Sequence, residues 1–269
     1  MILNGKILLR GKGLHSGLEC ELTIEPCDSP TILLSSGTNE LPVSELALCG
    51  TNRGSDYSFP DGTTIRTCEH VFSALYGMGI YSGVRVTVKG GEMPALDGCS
   101  RTVCDELLKH SSQAQAKTDI LTLKSPAIVY GTDPARYIAA FPYDRLRITC
   151  IVEYDYIGSQ VFEYVQDSGS YYEEISRART FAMRRDIDYL LAHGMALGGS
   201  LDNAIVVGEK IEASGGLHWP DEFVRHKVLD LLGDLAAVGH PVNAHITAMK
   251  AGHELHLKLS ERLREETHN

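Results

Sequence analysis

The sequence predicts an α+β fold of two similar domains, each a layer of β-sheet against α-helices, with an active site in the cleft between them. Three observations carry that expectation. Strand-like runs come before helix-like runs within each half instead of alternating with them, which argues against βαβ units. The same order occurs twice along the chain. The stretch that reads as a linker, Ser111-Ser112-Gln113-Ala114-Gln115-Ala116-Lys117, is small, polar and aperiodic, and it falls near the middle of the 269 residues. The predicted domains are therefore 1–113 and 118–269.

In the first half, strand-like runs at Lys6–Leu9, Leu18–Ile24 and Thr31–Leu34 precede a helix at Thr67–Met78. A β-rich run at Gly83–Val88 and a helix at Arg101–His110 complete it. In the second half, strands at Ala127–Tyr130, Tyr137–Phe141 and Leu146–Tyr154 precede a helical stretch at Arg184–His193. A strand at Asn203–Val207, a strong helix at Asp221–Val238 and a strand-like Glu254–Leu259 follow.

Composition narrows the function. With 43% apolar and 22% charged residues the chain belongs to the ordinary globular class. A net charge of −10 and a pI near 5.5, with no stripe of Lys and Arg, argue against a nucleic-acid partner. No secretory signal or membrane span is visible, and no basic amphipathic helix suggests more than transient contact with a membrane surface. The seven cysteines form no Cys-x-x-Cys pair, so reduced thiols in a cytoplasmic protein are expected. Oligomeric state leaves no signal in the sequence.

The helix at Asp221–Val238 carries the strongest chemical signal. Pro220 suits a first helical turn, Asp221 and Glu222 complement the positive end of the helix dipole, and Gly239 with Pro241 stops the helix. Advanced by about 100° per residue, Val228, Leu229, Leu231, Leu232, Leu235, Ala236 and Val238 cover one broad side. His226, Asp230 and Asp234 recur every four residues along the other, with Gly233 and Ala237 between them. A solvated stripe favours long Lys and Glu side chains. Here the residues are short ligand types, and Gly233 costs about 1 kcal/mol against Ala, which suggests a close-packed neighbour. His226 and Asp230 lie one turn apart and suit one metal ion, although a catalytic zinc needs a third protein ligand.

A second helix, opening at Thr67-Cys68-Glu69-His70, offers that ligand. Thr67 reads as its N-cap, and the dipole would favour an ionised Glu69 suited to a general base. Taken alone, this reads better as a capped amphipathic helix with polar residues at its exposed start. Gly252-His253 provides one more imidazole. The Gly-rich Gly11–Gly17 turn and the Gly198–Asn203 loop read as tight connections, and Arg177-Ala178-Arg179 as an anion contact or a strand cap.

The stretches GKGLHSG (11–17), TCEHVFSAL (67–75), GEMPALDG (91–98), SRARTF (176–181), GGSLDNAIVV (198–207), DEFVRHKVLDLLGDL (221–235) and AGHEL (251–255) together resemble the UDP-3-O-acyl-N-acetylglucosamine deacetylases. These are zinc amidases of lipid A synthesis, and the matching stretches span nearly the entire chain. The resemblance implies a zinc ion held by His70, His226 and Asp230. It implies Glu69 as general base, His253 as general acid oriented by Asp234, and Thr180 as the hydroxyl that stabilises an oxyanion. It places Phe181, Arg185, Asp186, Lys227 and His15 near a UDP-acyl-sugar substrate. The competing expectations are a zinc amidase for another N-acetylated amino sugar, the same ligands holding iron, and a non-catalytic metal- or lipid-binding module. The sequence differs from the family at Tyr81-Ser82, where Asp-Asn is usual, and at Ala182, where Gly is usual. At Val152–Tyr164 the family's β-α-β passage for the acyl chain is expected to be shortened.

Overall fold

The computed structural model describes residues 1–49, 53–114, 118–167 and 170–267. Its first half begins with β1 (Ile2–Leu3) and continues through β2 (Ile7–Lys12), β3 (Glu19–Pro26), β4 (Ile32–Ser35) and β5 (Glu40–Pro42). A small inserted sheet follows, made of β6 (Ala47–Cys49), β7 (Asp56–Ser58) and β8 (Thr64–Ile65). Helix α1 (Glu69–Gly77), strand β9 (Val84–Lys89), helix α2 (Arg101–His110) and β10 (Ser111–Ser112) complete it.

In the second half, β11 (Leu121–Thr122) leads to β12 (Ala127–Tyr130), β13 (Tyr137–Pro142), β14 (Arg147–Tyr154) and β15 (Gly158–Val165). The insertion here is β16 (Phe181–Met183), α3 (Ile187–Ala192), β17 (Ile205–Val207) and β18 (Ile211–Glu212). Helix α4 (Glu222–Asp234), strand β19 (Val242–Met249) and helix α5 (His253–Thr267) close the chain's described part.

The fold is α+β, and the two halves repeat one topology. The main sheets run β2-β3-β9-β4-β5 and β12-β13-β19-β14-β15. In each, the last strand in sequence lies in the middle, antiparallel to the second strand and parallel to the third. In each, a helix precedes that central strand and another follows it. The inserts also fall at the same place, between the fourth strand of the sheet and the helix.

The central strands alternate as a sheet with one face on the core requires: along β19 Val242, Ala244, Ile246 and Ala248 are buried while the residues between them are half-covered. One continuous apolar cluster joins the halves, running from Leu3, Leu22 and Val86 through Phe72 and Leu75 to Leu229, Leu232, Ile246 and Leu263. Helices α1 and α4 meet at its centre. A Cβ on Gly233 would lie 2.0 Å from the Glu69 carbonyl oxygen, so only glycine lets the two backbones approach this closely. That is the close-packed neighbour expected at Gly233, and α4 is buried along its polar stripe as well as its apolar side.

Four expectations need correction. Thr67 is not an N-cap: the cap position belongs to Cys68, which makes no side-chain cap bond, while Thr67 takes a left-handed φ of 57° and bonds Glu92 through its hydroxyl. Glu254–Leu259 is not a strand but the first turns of α5. Leu255, Leu257 and Leu259 imitate a two-residue period, but the buried set also contains His256, Ser260 and Leu263, which is helical spacing. Ser111 and Ser112 are not linker but pair with Leu3 and Ile2; residues 115–117 of the expected linker lie outside the described residues. Finally, 152–164 is the tight β14–β15 hairpin, and the β-α-β unit lies at 181–207, where β16 and β17 run parallel around α3.

Candidate metal centre and active site

Helices α1 and α4 bring His70, His226 and Asp230 together, all three buried, with one ligand atom from each within 4.8 Å of the others. His226 Nε2 stands 3.3 Å and His70 Nε2 3.7 Å from Asp230 Oδ1. The His226 Nδ1 sits 3.0 Å from the Ala178 carbonyl oxygen; donation there leaves the Nε2 lone pair facing the cluster. Asp230 Oδ1 is buried without a hydrogen-bond partner. A buried carboxylate oxygen is costly in that state, and a cation between the imidazoles would satisfy it. Two imidazoles and one carboxylate with an orphaned oxygen therefore fit a bound metal ion.

The electrostatics follow from burial. Desolvation presses the His226 imidazole down to about 3, so it is neutral and able to ligate. Burial works against the Asp230 carboxylate, but His226, Lys227 and His253 around it hold it well below the usual range. Lys227 donates to Asp230 Oδ2 at 2.6 Å. For His70, burial is outweighed by the Asp230 carboxylate 3.7 Å away and the charge of Glu69, which raise it.

Glu69 lies in the first turn of α1, 2% exposed, where Oε2 accepts the Ser55 backbone N–H at 2.8 Å. The helix start is expected to favour the ionised form, but burial works in the opposite direction. Burial raises the carboxyl above its ordinary value against the pull of His253 and His70, which makes it a stronger base once ionised. Across from it, His253 begins α5 with Nε2 3.6 Å from Asp230 Oδ2 and Nδ1 2.9 Å from Asp234 Oδ2. Burial opposes protonation of His253, yet the carboxylates of Asp234 and Asp230 lift it to about 9. A cationic imidazole and a basic carboxylate thus flank the three ligands.

A cleft of about 380 Å³ opens onto this cluster. The structure gathers every expected site residue except Asp234 along its walls: His15, Glu69, His70, Thr180, Phe181, Arg185, Asp186, His226, Lys227, Asp230 and His253. Asp234 sits behind His253, completely buried. Thr180 is held by its own backbone, its N–H bonding the Gly98 carbonyl and its carbonyl accepting from Ile205. Phe181 packs edge-on against Tyr154, Phe223 and His226, with the Lys227 ammonium 5.5 Å from its ring centre. Arg185 and Asp186 stand at the exposed rim, paired with Asp155 and Arg53 respectively.

Several organising residues escaped the sequence reading. Glu92, fully buried, accepts the backbone N–H groups of His15 and Ser16 at 2.7 and 2.9 Å, and so fixes the loop that carries His15. That loop locks to the second half, with the Gly198 N–H on the Leu14 carbonyl and the Leu197 N–H on the His15 carbonyl. The two glycine-rich segments are one interlocked contact. Arg179 does not face the cleft: it is buried against Glu222, with its remaining N–H groups on the Ser214 and Gly216 carbonyls. Ser55 and His256, both buried, bond Asp234. The signals available were the glycines for Glu92 and the helix-start position for Glu222; Ser55 had none.

A family model described as UDP-3-O-acyl N-acetylglycosamine deacetylase matches residues 2–265. A protein named UDP-3-O-acyl-N-acetylglucosamine deacetylase from Myxococcus xanthus is 37% identical over 264 residues, covering 93% of this chain and 82% of that protein. Proteins of the same name from Chlamydia trachomatis serovar L2 and Thermodesulfovibrio yellowstonii are 34% and 33% identical, covering 98% and 97% of this chain and 94% and 90% of their own lengths. With the full-length match and the buried His, His, Asp cluster in hand, the chain belongs to the UDP-3-O-acyl N-acetylglycosamine deacetylase family.

Proposed function

We propose that this chain hydrolyses the N-acetyl amide of UDP-3-O-acyl-N-acetylglucosamine, releasing acetate, at a zinc ion held by His70, His226 and Asp230. The observation that carries the reading is the buried ligand triad with its orphaned carboxylate oxygen, flanked by Glu69 and His253. Zinc bound there would polarise the amide carbonyl and acidify water. Glu69 takes the proton of the water that attacks the amide carbon. The Thr180 hydroxyl donates to the oxyanion as it forms. His253, kept cationic by Asp234, gives its proton to the departing amine. Phe181, Lys227, Arg185 and Asp186 lie near the sugar and nucleotide diphosphate, with His15 on the cleft wall beside them.

The same reading assigns 1–113 and 118–269 as the two domains, supported by their repeated strand order. It also assigns the cytoplasm as the compartment. All seven cysteines are unpaired, and among the described residues no helix is long and apolar enough to cross a membrane. Contact with a membrane surface would then be transient, made when the acylated substrate is collected.

The test combines metal content with turnover. Purified protein should carry about one zinc per chain and release acetate from the UDP-acyl-sugar, read by mass spectrometry. His226→Ala and Asp230→Ala proteins should lose both. Undiminished zinc in those variants would refute the ligand assignment, and acetate release only from a different N-acetyl sugar would refute the substrate.

A further inference from the structure

We propose that Ser55 is a positioning residue joining the two proton-handling groups of the reaction, its backbone N–H seating Glu69 and its hydroxyl seating Asp234 against His253. This rests on the deacetylase reading above. Ser55 belongs to the first-half insert, just ahead of β7, and is completely buried. Three contacts converge on it. Its N–H reaches Glu69 Oε2 at 2.8 Å, its Oγ bonds Asp234 Oδ1, and the same Oγ lies 3.1 Å from His253 Nδ1.

The direction of these bonds follows from chemistry. An ionised Asp234 can only accept, so the Ser55 hydroxyl proton points to Oδ1. The Ser55 lone pairs then face the His253 Nδ1–H, which already has Asp234 Oδ2 as its acceptor at 2.9 Å. Two acceptors on one side of the ring hold the proton at Nδ1 and turn Nε2 toward the cleft. On the other arm, the Ser55 N–H occupies Oε2 of Glu69. One buried residue therefore fixes the spacing between the two groups. His256 Nδ1 also shares Asp234 Oδ2, 2.9 Å away, so the Ser55 bond to Oδ1 keeps the carboxylate from rotating toward His256 alone.

Ser55→Ala removes the hydroxyl and leaves the N–H in place, so it isolates the His253 arm. Because general acid–base groups contribute about 10²–10⁴-fold and the acid itself remains, kcat should fall about 10- to 100-fold with KM within about twofold. Zinc per chain should equal the parent's, and Ser55→Thr, which restores the hydroxyl, should recover most of kcat. An independent readout is the imidazole 15N–1H spectrum, with His253 assigned by its absence in His253→Ala: the Nδ1–H signal should move in Ser55→Ala and return in Ser55→Thr. Unchanged kcat and unmoved ring signals in Ser55→Ala overturn the proposal. So does a fall in kcat that only matches lost zinc. A parent with no turnover would refute the deacetylase reading alone; the ring signals then decide, and signals unmoved by Ser55→Ala overturn the role of Ser55.

Discussion

The two halves share strand order, strand direction and helix placement, yet they contribute differently to the site. The first half supplies one proposed ligand, His70, from the opening turn of α1, next to Glu69 in sequence. The second supplies two proposed ligands from the length of α4, with His226 and Asp230 one turn apart. The inserts diverge further. The small sheet β6-β7-β8 sends Ser55 into the buried polar cluster behind the ligands. The β16-α3-β17 unit lines the cleft with Phe181, Met183 and Leu190 and places charged groups at its rim. A duplicated frame thus sets the distances between ligands, while unequal insertions divide acid–base support from substrate shape.

The sharpest test of that division is Glu69→Gln. If the first half supplies the base and not only the frame, acetate release should fall about 10²–10⁴-fold with zinc content unchanged. Retained activity would make Glu69 a structural residue. Next in size is Arg179→Ala. It removes the guanidinium from the buried Glu222, leaving only the backbone N–H groups of residues 179 and 218 and the nearby His218 ring, and should cost about 3–5 kcal/mol, read from denaturant midpoints. The loss should fall on the second-half insert and the start of α4; a change below about 0.5 kcal/mol, ordinary for a surface site, would mean that the insert holds itself. The smallest effect belongs to the seam. Gly233→Ala forces a methyl onto the Glu69 carbonyl and should destabilise by about 1–3 kcal/mol while weakening zinc retention. Gly252→Ala, whose Cβ would meet nothing within 4 Å, should stay within about 0.5 kcal/mol. Equal behaviour of the two glycines would remove the seam as the element that sets the ligand spacing.

What the sequence made legible follows the range over which its patterns act. His226, Asp230 and Asp234 share a face because a helix repeats nearly every four residues, and Gly233 announced a close neighbour without naming it. His70 and His253 had no such relation to α4 in sequence terms, since their proximity is created by packing of separate helices. Only the family resemblance paired them. Ser55 was silent because its hydroxyl's partners, the side chains of Asp234 and His253, lie far along the chain and leave no periodic signature, and Glu92, which bonds the His15 and Ser16 backbone, was marked only by the glycines. Leu255, Leu257 and Leu259 misled because alternate leucines fit a strand until Ser260 and Leu263 are included.

The glycine seam between α1 and α4 has a consequence for how the protein is built and maintained. His70 lies on one side of it and His226 and Asp230 on the other, so neither half alone contains this proposed metal site, and either half alone would present its share of the common core to water. With an ion held by those three residues, folding of the seam and capture of the ion would be one linked equilibrium, in which free metal concentration acts on the stability of the whole chain. Scarcity of the metal would be felt as a shorter lifetime of the folded protein as well as a slower enzyme.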